Sequence, residues 1–593
     1  MKSALVGVLL ITTVSSLPAL TERDTGHDAI VPFSVPSQDR DPQSRATALA
    51  TKREGWGYGG FPLGVAPFPV GELANKTIAE QEAIWVGATA AGSSYAQEDE
   101  VKAIAALKAG GNFTSLDDYT RLYEGQWQSS LPGGIFSGML TNYTDDRLFS
   151  MMRLSASPYR VRRVQRNDAL LFPVDNAASI TGGLSQEELR SQGRLFSIDY
   201  SDIKDLPASD KYGAGCQAYF YISPHSGDFL PLAIKAILRG LEDKALVYTP
   251  EDSADDWMLA KLMFNQNDNW HITYSHITHS HSAAEAPYLA AIRAFSDNHP
   301  ILAVINRYEK TPWSIRPALE SNVITTGQID SYYPWTGEAA REYTNSVYTS
   351  GEVSNFQSNY VQTNLENRGL INSKFGPPLK HFPFWEDCSV VVNNIRAFMR
   401  SFIYSYYPND NAILQDKELQ DWASEAQVAQ VPDFPTKITS RDMVVNMLTH
   451  HTYLGTVVHS VLSTDGAVGD SVSLPFAPSA FWKPLPTEKG ATDIIQYMPQ
   501  LYAAIKQVAI LAAVNRAFWI DTNQTMSYMF DDDAMLSRMN RETNVAASRY
   551  KAAQNVFSTE VRARKFDQDG LSRGMPFMWN VLDPNWAPYW SVV

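Results

Sequence analysis

The sequence predicts a mostly α-helical globular body over residues 54–593, although length alone would suggest three or four domains. The segment VAILAAV (508–514) is apolar on every side, as in a helix buried inside a large core. After residue 53 the chain has no low-complexity linker, internal repeat or charge block that would divide it. Helical periodicity recurs throughout this range, and it covers residues 78–107, 255–297, 390–406, 441–462, 492–519 and 544–564.

The ends of these segments carry helix signals. Gly110 and Gly111 follow the first segment, as glycines commonly follow helices. Asp255 opens the second segment, where a carboxylate favours the helix dipole. Pro287 lies inside it and is expected to kink it, because proline lacks a backbone N–H. Residues 320–380, rich in Tyr, Asn, Ser and Gly, are predicted to be irregular.

The amino terminus is typical of a secretory signal peptide. Lys2 precedes a short apolar stretch, and small residues follow near Ala19, so residues 1–19 are predicted to be the signal peptide. Residues 20–53 are polar and are predicted to be a disordered leader or propeptide. Lys52 and Arg53 close this leader, either as a dibasic processing site or as an ordinary exposed pair.

Composition excludes several classes of partner. A formal charge of −15 and a pI near 5.3 disfavour nucleic acid and anionic membranes. No apolar run after the signal peptide reaches the roughly 20 residues that a transmembrane helix needs. The two cysteines can either pair or stay free. The sequence therefore predicts a secreted, extracellular monomer with candidate glycosylation sites at Asn75, Asn112, Asn142 and Asn523.

A histidine-rich segment points to a metal. The stretch WHITYSHITHSH (270–281) holds four of the eleven histidines, and His271, His276 and His281 are five residues apart. On a regular α-helix such positions diverge by roughly 140°. A shared ion therefore requires a π-helical turn around residues 276–281. The alternative is a set of solvated or hydrogen-bonded histidines, and the HExxH motif of zinc proteases is absent.

A second histidine cluster lies on the helix predicted over 441–462. His450 and His459 are nine residues apart, on opposite sides of a helix, so at most one of them can share an ion with the first cluster. His451 lies beside His450, and buried hydrogen-bonded histidines remain the alternative for each. Three imidazoles with oxygen ligands and an open position would suit redox-active Fe or Mn.

At this point the chain resembles a known family. The sequence WMLAKLMFNQND (257–268), the spaced histidines, Glu285, FSDNHP (295–300) and an aliphatic last residue are similar to lipoxygenases, especially the secreted fungal enzymes that use manganese. The resemblance continues through the body at 142–151, 230–235, 381–387, 489–492 and 570–577. It implies a single large helical lipoxygenase-like catalytic domain without an N-terminal β-sandwich domain.

The resemblance also implies a ligand set. The ion would be manganese, which is favoured, or iron, and His271 would support the site without binding the ion. Ser463 stands where the manganese enzymes usually have Asn, so it would bind weakly or through water. The implied ligands are His276, His281, His459, Ser463 and the terminal carboxylate of Val593.

The implied reaction is fatty-acid dioxygenation. A metal(III)-hydroxide would abstract a bis-allylic hydrogen from linoleic or α-linolenic acid, and O2 would add to give a hydroperoxide. Arg516 would bind the substrate carboxylate or form an ordinary salt bridge. Leu319 lies near the position that shapes oxygen access in relatives, and Val323 would clamp the diene or belong to the core. The alternatives are a hydroperoxide isomerase and a lipid-binding member without turnover.

Overall fold

The computed structural model describes residues 31–131, 133–462, 474–514 and 521–591. Each of the six predicted helical segments contains a helix, and the largest shift is at the start of the segment predicted from residue 492, which begins at Leu501. The α-helices are α1 (Pro42–Glu54), α2 (Glu72–Leu107), α3 (Asp146–Met151), α4 (Ala177–Thr181), α5 (Gln186–Ser191), α6 (Ala254–His276), α7 (Ala283–Ala294), α8 (Pro300–Tyr308), α9 (Pro312–Leu319), α10 (Gln328–Tyr332), α11 (Gly337–Thr349), α12 (Val361–Asn367), α13 (Pro383–Tyr406), α14 (Asp410–Gln415), α15 (Lys417–Val428), α16 (Arg441–Tyr453), α17 (His459–Leu462), α18 (Leu501–Val514), α19 (Asp533–Leu536) and α20 (Arg541–Arg562).

Two small antiparallel sheets accompany the helices. The strands are β1 (Gly57–Gly59), β2 (Phe68–Val70), β3 (Arg162–Arg163), β4 (Leu195–Asp199), β5 (Gly215–Ile222), β6 (Phe229–Ile237) and β7 (Leu246–Tyr248). Strand β1 pairs with β2, and β3 to β7 form a five-stranded sheet in sequence order. The described residues ahead of α2 contain no β-sandwich, as the resemblance implied.

The five-stranded sheet was not predicted, for a physical reason. Side chains of β5 alternate between two hydrophobic clusters, with Phe220 in the main core and Tyr219 in a smaller core on the other face. Because both faces are buried, the strand lacks the alternation of polar and apolar residues that marks a half-exposed strand.

Helix α6 runs through the centre of the molecule, and nearly all of its residues are buried. Its polar residues bond to the surrounding chain. Asn267 accepts from the backbone N–H of Cys216 at 2.7 Å and donates to the carbonyl of Ala214 at 2.6 Å. Asp268 forms a buried ion pair with Arg153 at 2.6 Å. These bonds satisfy the buried polar groups and fix α6 against the sheet.

The predicted π-helical turn is present. Residues Ile277–Ser282 form a π-helix that joins α6 to α7 without a break in the chain direction. Helix α7 continues past Pro287, so the departure from regular α geometry lies before that proline. Two further π segments, Leu454–Val458 and Glu320–Ile324, were not predicted.

The prediction of a disordered leader is wrong for the part that the structure describes. Helix α1 is capped by Asp41, and Arg45 is buried in an ion pair with Glu418. Lys52 bonds to Asp297 and Arg53 to Asp421, so both basic residues are tied to the body. Charged side chains made this segment resemble a solvated tail, but their partners lie far along the chain.

The prediction of an irregular region over 320–380 is also wrong in part. Helices α10, α11 and α12 lie within it. Helix α11 begins at a Thr336 cap and buries Ala339, Ala340 and Tyr343 on one face. Its exposed face carries Asn, Ser and Thr, which lower intrinsic helix propensity, so packing rather than local sequence decides the helix.

The structure bears on the predictions about membrane spans, cysteines and glycosylation sites. Across the described residues, no helix is long and apolar enough to cross a membrane. Cys216 and Cys388 are both buried and free. Asn75, Asn112 and Asn523 are exposed, whereas Asn142 is half-buried and donates to the carbonyl of Pro576 at 2.7 Å.

Candidate metal centre

Three histidines from two distant segments meet in the core. One nitrogen from each of His276, His281 and His459 lies within 4.8 Å of the others. The ring centroids of His276 and His281 are 5.4 Å apart, and those of His281 and His459 are 5.1 Å apart. All three rings are buried. Three imidazoles converging at this spacing can bind one transition-metal ion.

Hydrogen bonding fixes the orientation of one ring. His276 Nδ1 donates to the carbonyl of Thr273 at 2.6 Å, which leaves Nε2 of the neutral ring with its lone pair. Among the described residues that Nε2 has no hydrogen-bond partner, and neither ring nitrogen of His281 has one. Buried polar atoms without partners are costly unless something binds them. A metal ion fits this donor set.

Electrostatics favour the same conclusion. Burial lowers the pKa of His276 to about 4. Burial first, and then the neighbouring His459, holds the pKa of His281 well below its usual value. Neutral imidazole is the form that binds a metal, so these rings need no deprotonation at neutral pH.

The π segments explain how the rings reach one point. Without the π turn over Ile277–Ser282, His276 and His281 would face different sides of a helix. The segment Leu454–Val458 packs against it and ends directly before His459. The site therefore sits where two π-helical turns touch, which fits the general concentration of π turns at functional sites.

The two histidines of α16, His450 and His451, face elsewhere. The ring of His450 packs against Phe356 and Tyr360, with centroids 4.9 and 5.0 Å away. His451 Nε2 donates to the carbonyl of Ala284 at 2.9 Å. Only one of His450 and His459 joins the cluster, as the nine-residue separation predicts.

A buried ion pair supports α7, the helix that directly follows the π segment carrying His281. Glu285, one turn further along, pairs with Arg316 at 2.6 Å, and both side chains are fully buried. Arg316 also donates to the carbonyls of Ala66 and Pro67. The pair joins α7, α9 and the segment before α2. The sequence marked Glu285 only through the family resemblance, and it did not single out Arg316.

A second cluster lies on the other side of α6. His271, His279 and Glu352 also place one ligand atom each within 4.8 Å of one another. His271 Nδ1 is 2.8 Å from the hydroxyl of Tyr343. His271 therefore belongs to this second group. The sequence did not single out His279 or Glu352 as site residues, because no motif connects two positions so far apart in the chain.

Three of the predicted site residues, Ser463, Arg516 and Val593, lie outside the described residues. Leu319 is the last residue of α9, a helix that packs against the π segment Ile277–Ser282. Val323 lies in the π segment Glu320–Ile324. Both side chains are partly buried against the main core.

Comparison with known proteins agrees with this geometry. The family profile described as Lipoxygenase matches residues 175–565. The manganese lipoxygenase of Nakataea oryzae is 38% identical over 570 residues, which cover 94% of this chain and 91% of the relative. The chain belongs to the lipoxygenase family.

Further relatives support that assignment. The manganese lipoxygenase of Fusarium oxysporum is 36% identical and covers 97% of this lipoxygenase. A solved manganese lipoxygenase superimposes with a TM-score of 0.92 at 37% identity, covering 95% of this chain and all of the other. This lipoxygenase is thus a dioxygenase, and these relatives are named for the manganese that they use.

Proposed function

We propose that this lipoxygenase converts linoleic or α-linolenic acid into a fatty-acid hydroperoxide. The convergence of His276, His281 and His459 on one buried point carries the proposal. One C–H bond of the bis-allylic CH2 breaks and one C–O bond forms. Both atoms of O2 end in the product with the abstracted hydrogen, so no other reductant is consumed.

The proposed ligands are the three histidines, the terminal carboxylate of Val593 and Ser463, which binds directly or through water. When bound, manganese or iron supplies the one-electron oxidation that hydrogen abstraction requires. The protein orients the ligands and excludes bulk water. The hydrogen bond from His276 to Thr273 holds one ring in place, and burial of all three rings keeps bulk water away.

Other residues would place the substrate. In the proposal Arg516 binds the fatty-acid carboxylate, since a guanidinium pairs with a carboxylate in bidentate geometry. In the proposal Leu319 and Val323 contact the fatty-acid chain near its reacting carbons. Both lie on partly buried surface close to the π segment that joins His276 to His281.

The test is turnover by the metal-loaded protein with linoleate. We expect conjugated-diene absorbance to rise in step with oxygen consumption, one O2 for each diene. Loss of added hydroperoxide without oxygen uptake would indicate an isomerase instead. Metal-loaded protein that binds linoleate but forms no diene would contradict the proposal.

We also propose that the protein is secreted. The support is the signal-like segment 1–19, together with the exposed sequons at Asn75, Asn112 and Asn523. Asn142 is a poorer acceptor because its amide is engaged with Pro576. Mass spectrometry of protein from the culture medium should find a processed amino terminus and glycans at the exposed sites. Finding the protein only inside cells would exclude this proposal.

A further inference from the structure

The second histidine cluster contains ligand atoms that the proposed reaction does not use. The rings of His271 and His279 are buried, and their centroids are 5.8 Å apart. The Nε2 atoms of these two rings have no hydrogen-bond partner among the described residues. One ligand nitrogen of each ring lies within 4.8 Å of the other.

One carboxylate faces both rings. Glu352 Oε1 lies 4.0 Å from His271 Nε2 and 3.9 Å from His279 Nε2. These distances are too long for direct hydrogen bonds, but they leave room for an ion between the three atoms. Two imidazoles and one carboxylate with open positions are a donor set that first-row transition metals favour.

We propose that His271, His279 and Glu352 form a second transition-metal site, distinct from the site of the three histidines. The two sites share the continuous segment formed by α6 and the following π turn, and no residue serves both. An ion in the second site would link this segment to Glu352, which lies just after α11.

The surroundings decide how tightly an ion would bind. Arg160 contacts both oxygens of Glu352 at 3.2 Å, so its guanidinium opposes a cation. Arg160 is also bonded to Asp202 at 3.0 Å. Arg368 lines the same cavity as His279 and Glu352, so two carboxylates and two guanidiniums balance beside the neutral rings. That balance permits a divalent ion, although it weakens the binding.

The Glu352 edge of the proposed site borders a surface cleft. A surface cleft of about 890 Å³ is lined by Arg160, Glu352 and Arg368 among others. An inner cavity of about 40 Å³ shares Glu352 and Arg368 with this cleft and is bordered by His279. Glu352 lines both spaces and its side chain is 26% exposed, so solvent reaches the carboxylate of the proposed site.

The experiment adds Zn²⁺ to the purified manganese-loaded enzyme, removes loosely bound metal, and measures both metals by mass spectrometry. We expect manganese to stay at one equivalent and one further equivalent of zinc to be retained. The variants His279→Gln and Glu352→Gln should lose that zinc and keep the manganese. The exposed His225 supplies the matched control, and His225→Gln should retain both metals.

The wild-type protein alone can overturn the proposal, since retention of no extra zinc would exclude the site. Zinc that persists in both variants, or that disappears in His225→Gln, would also exclude it. A further variant tests whether the charge of Arg160 opposes the bound ion, as it would for a cation. Arg160→Gln should raise zinc affinity by at least about tenfold, because it removes a nearby positive charge. Weaker zinc binding in Arg160→Gln would contradict the proposal.

Discussion

The two histidine clusters use the same helix for different arrangements of charge. His276, His281 and His459 form a cluster of imidazoles alone, with the nearby carboxylate of Glu285 turned to Arg316. The cluster of His271 and His279 has its carboxylate, Glu352, facing the rings. Histidines that are close together on one segment can therefore belong to clusters with different ligand types, one with imidazoles alone and one with a carboxylate.

The ion pairs beside the two clusters also differ in burial. The Glu285–Arg316 pair is fully buried, whereas the side chains of Arg160 and Glu352 are 12% and 26% exposed. A buried pair is costly to break, while a pair that water reaches is worth little. Breaking the Glu285–Arg316 pair should therefore lower the stability of the protein more than breaking the Arg160–Glu352 pair.

The largest expected effect separates the two clusters directly. His281→Ala removes a proposed ligand, so we expect loss of bound manganese and a fall in turnover of at least about 100-fold. His279→Ala, two residues away, should keep one equivalent of manganese. Metal analysis of both variants checks this. Equal manganese content in the two proteins would mean that the three-histidine cluster does not hold the ion.

The next test concerns the negative charge that the three-histidine cluster lacks among the described residues. Deleting Val593 moves the terminal carboxylate by one residue, and we expect turnover to fall at least about 100-fold with weaker manganese retention. Val593→Leu keeps the carboxylate in place and serves as the control. Diene formation and metal content measure both. Full activity in the truncated protein would remove the carboxylate from the site.

The buried ion pairs should differ in their contribution to stability. Glu285→Gln leaves Arg316 buried without its counter-charge, so the free energy of unfolding should fall by about 3–5 kcal/mol. Glu352→Gln breaks a partly exposed pair, and we expect a loss of about 1 kcal/mol or less. Denaturant unfolding of both variants gives the two values. A smaller loss for Glu285→Gln than for Glu352→Gln would reverse the comparison.

The smallest effect concerns pH. Burial raises the pKa of Glu309, beside His451, to about 8, so the folded protein keeps this carboxyl protonated where the unfolded chain ionises it. Its contribution to stability is full below the unfolded value of 4.5 and is lost as the pH rises toward 8. Glu309→Gln cannot ionise, so its stability relative to wild type should improve by roughly 3 kcal/mol between pH 5 and pH 8. An unchanged difference across this range would place the carboxyl in the ionised form.

Much of the site could be predicted from sequence because its signals are local. The five-residue spacing of His276 and His281 demanded a π turn, and that turn is present. The nine-residue separation of His450 and His459 allowed only one of them into the cluster. The second π turn before His459 left no comparable mark, since no pair of ligands spans it.

The helical class, the family and the two histidine-rich segments can be read from the sequence, because periodicity and short motifs are properties of neighbouring residues. Which rings share a point, and that Glu352 lies beside His271 and His279, depends on the folded chain. So does the ion pair by which Arg45 anchors the amino-terminal segment to Glu418. Those contacts join residues far apart in the chain, and no local pattern specifies which distant residues will meet.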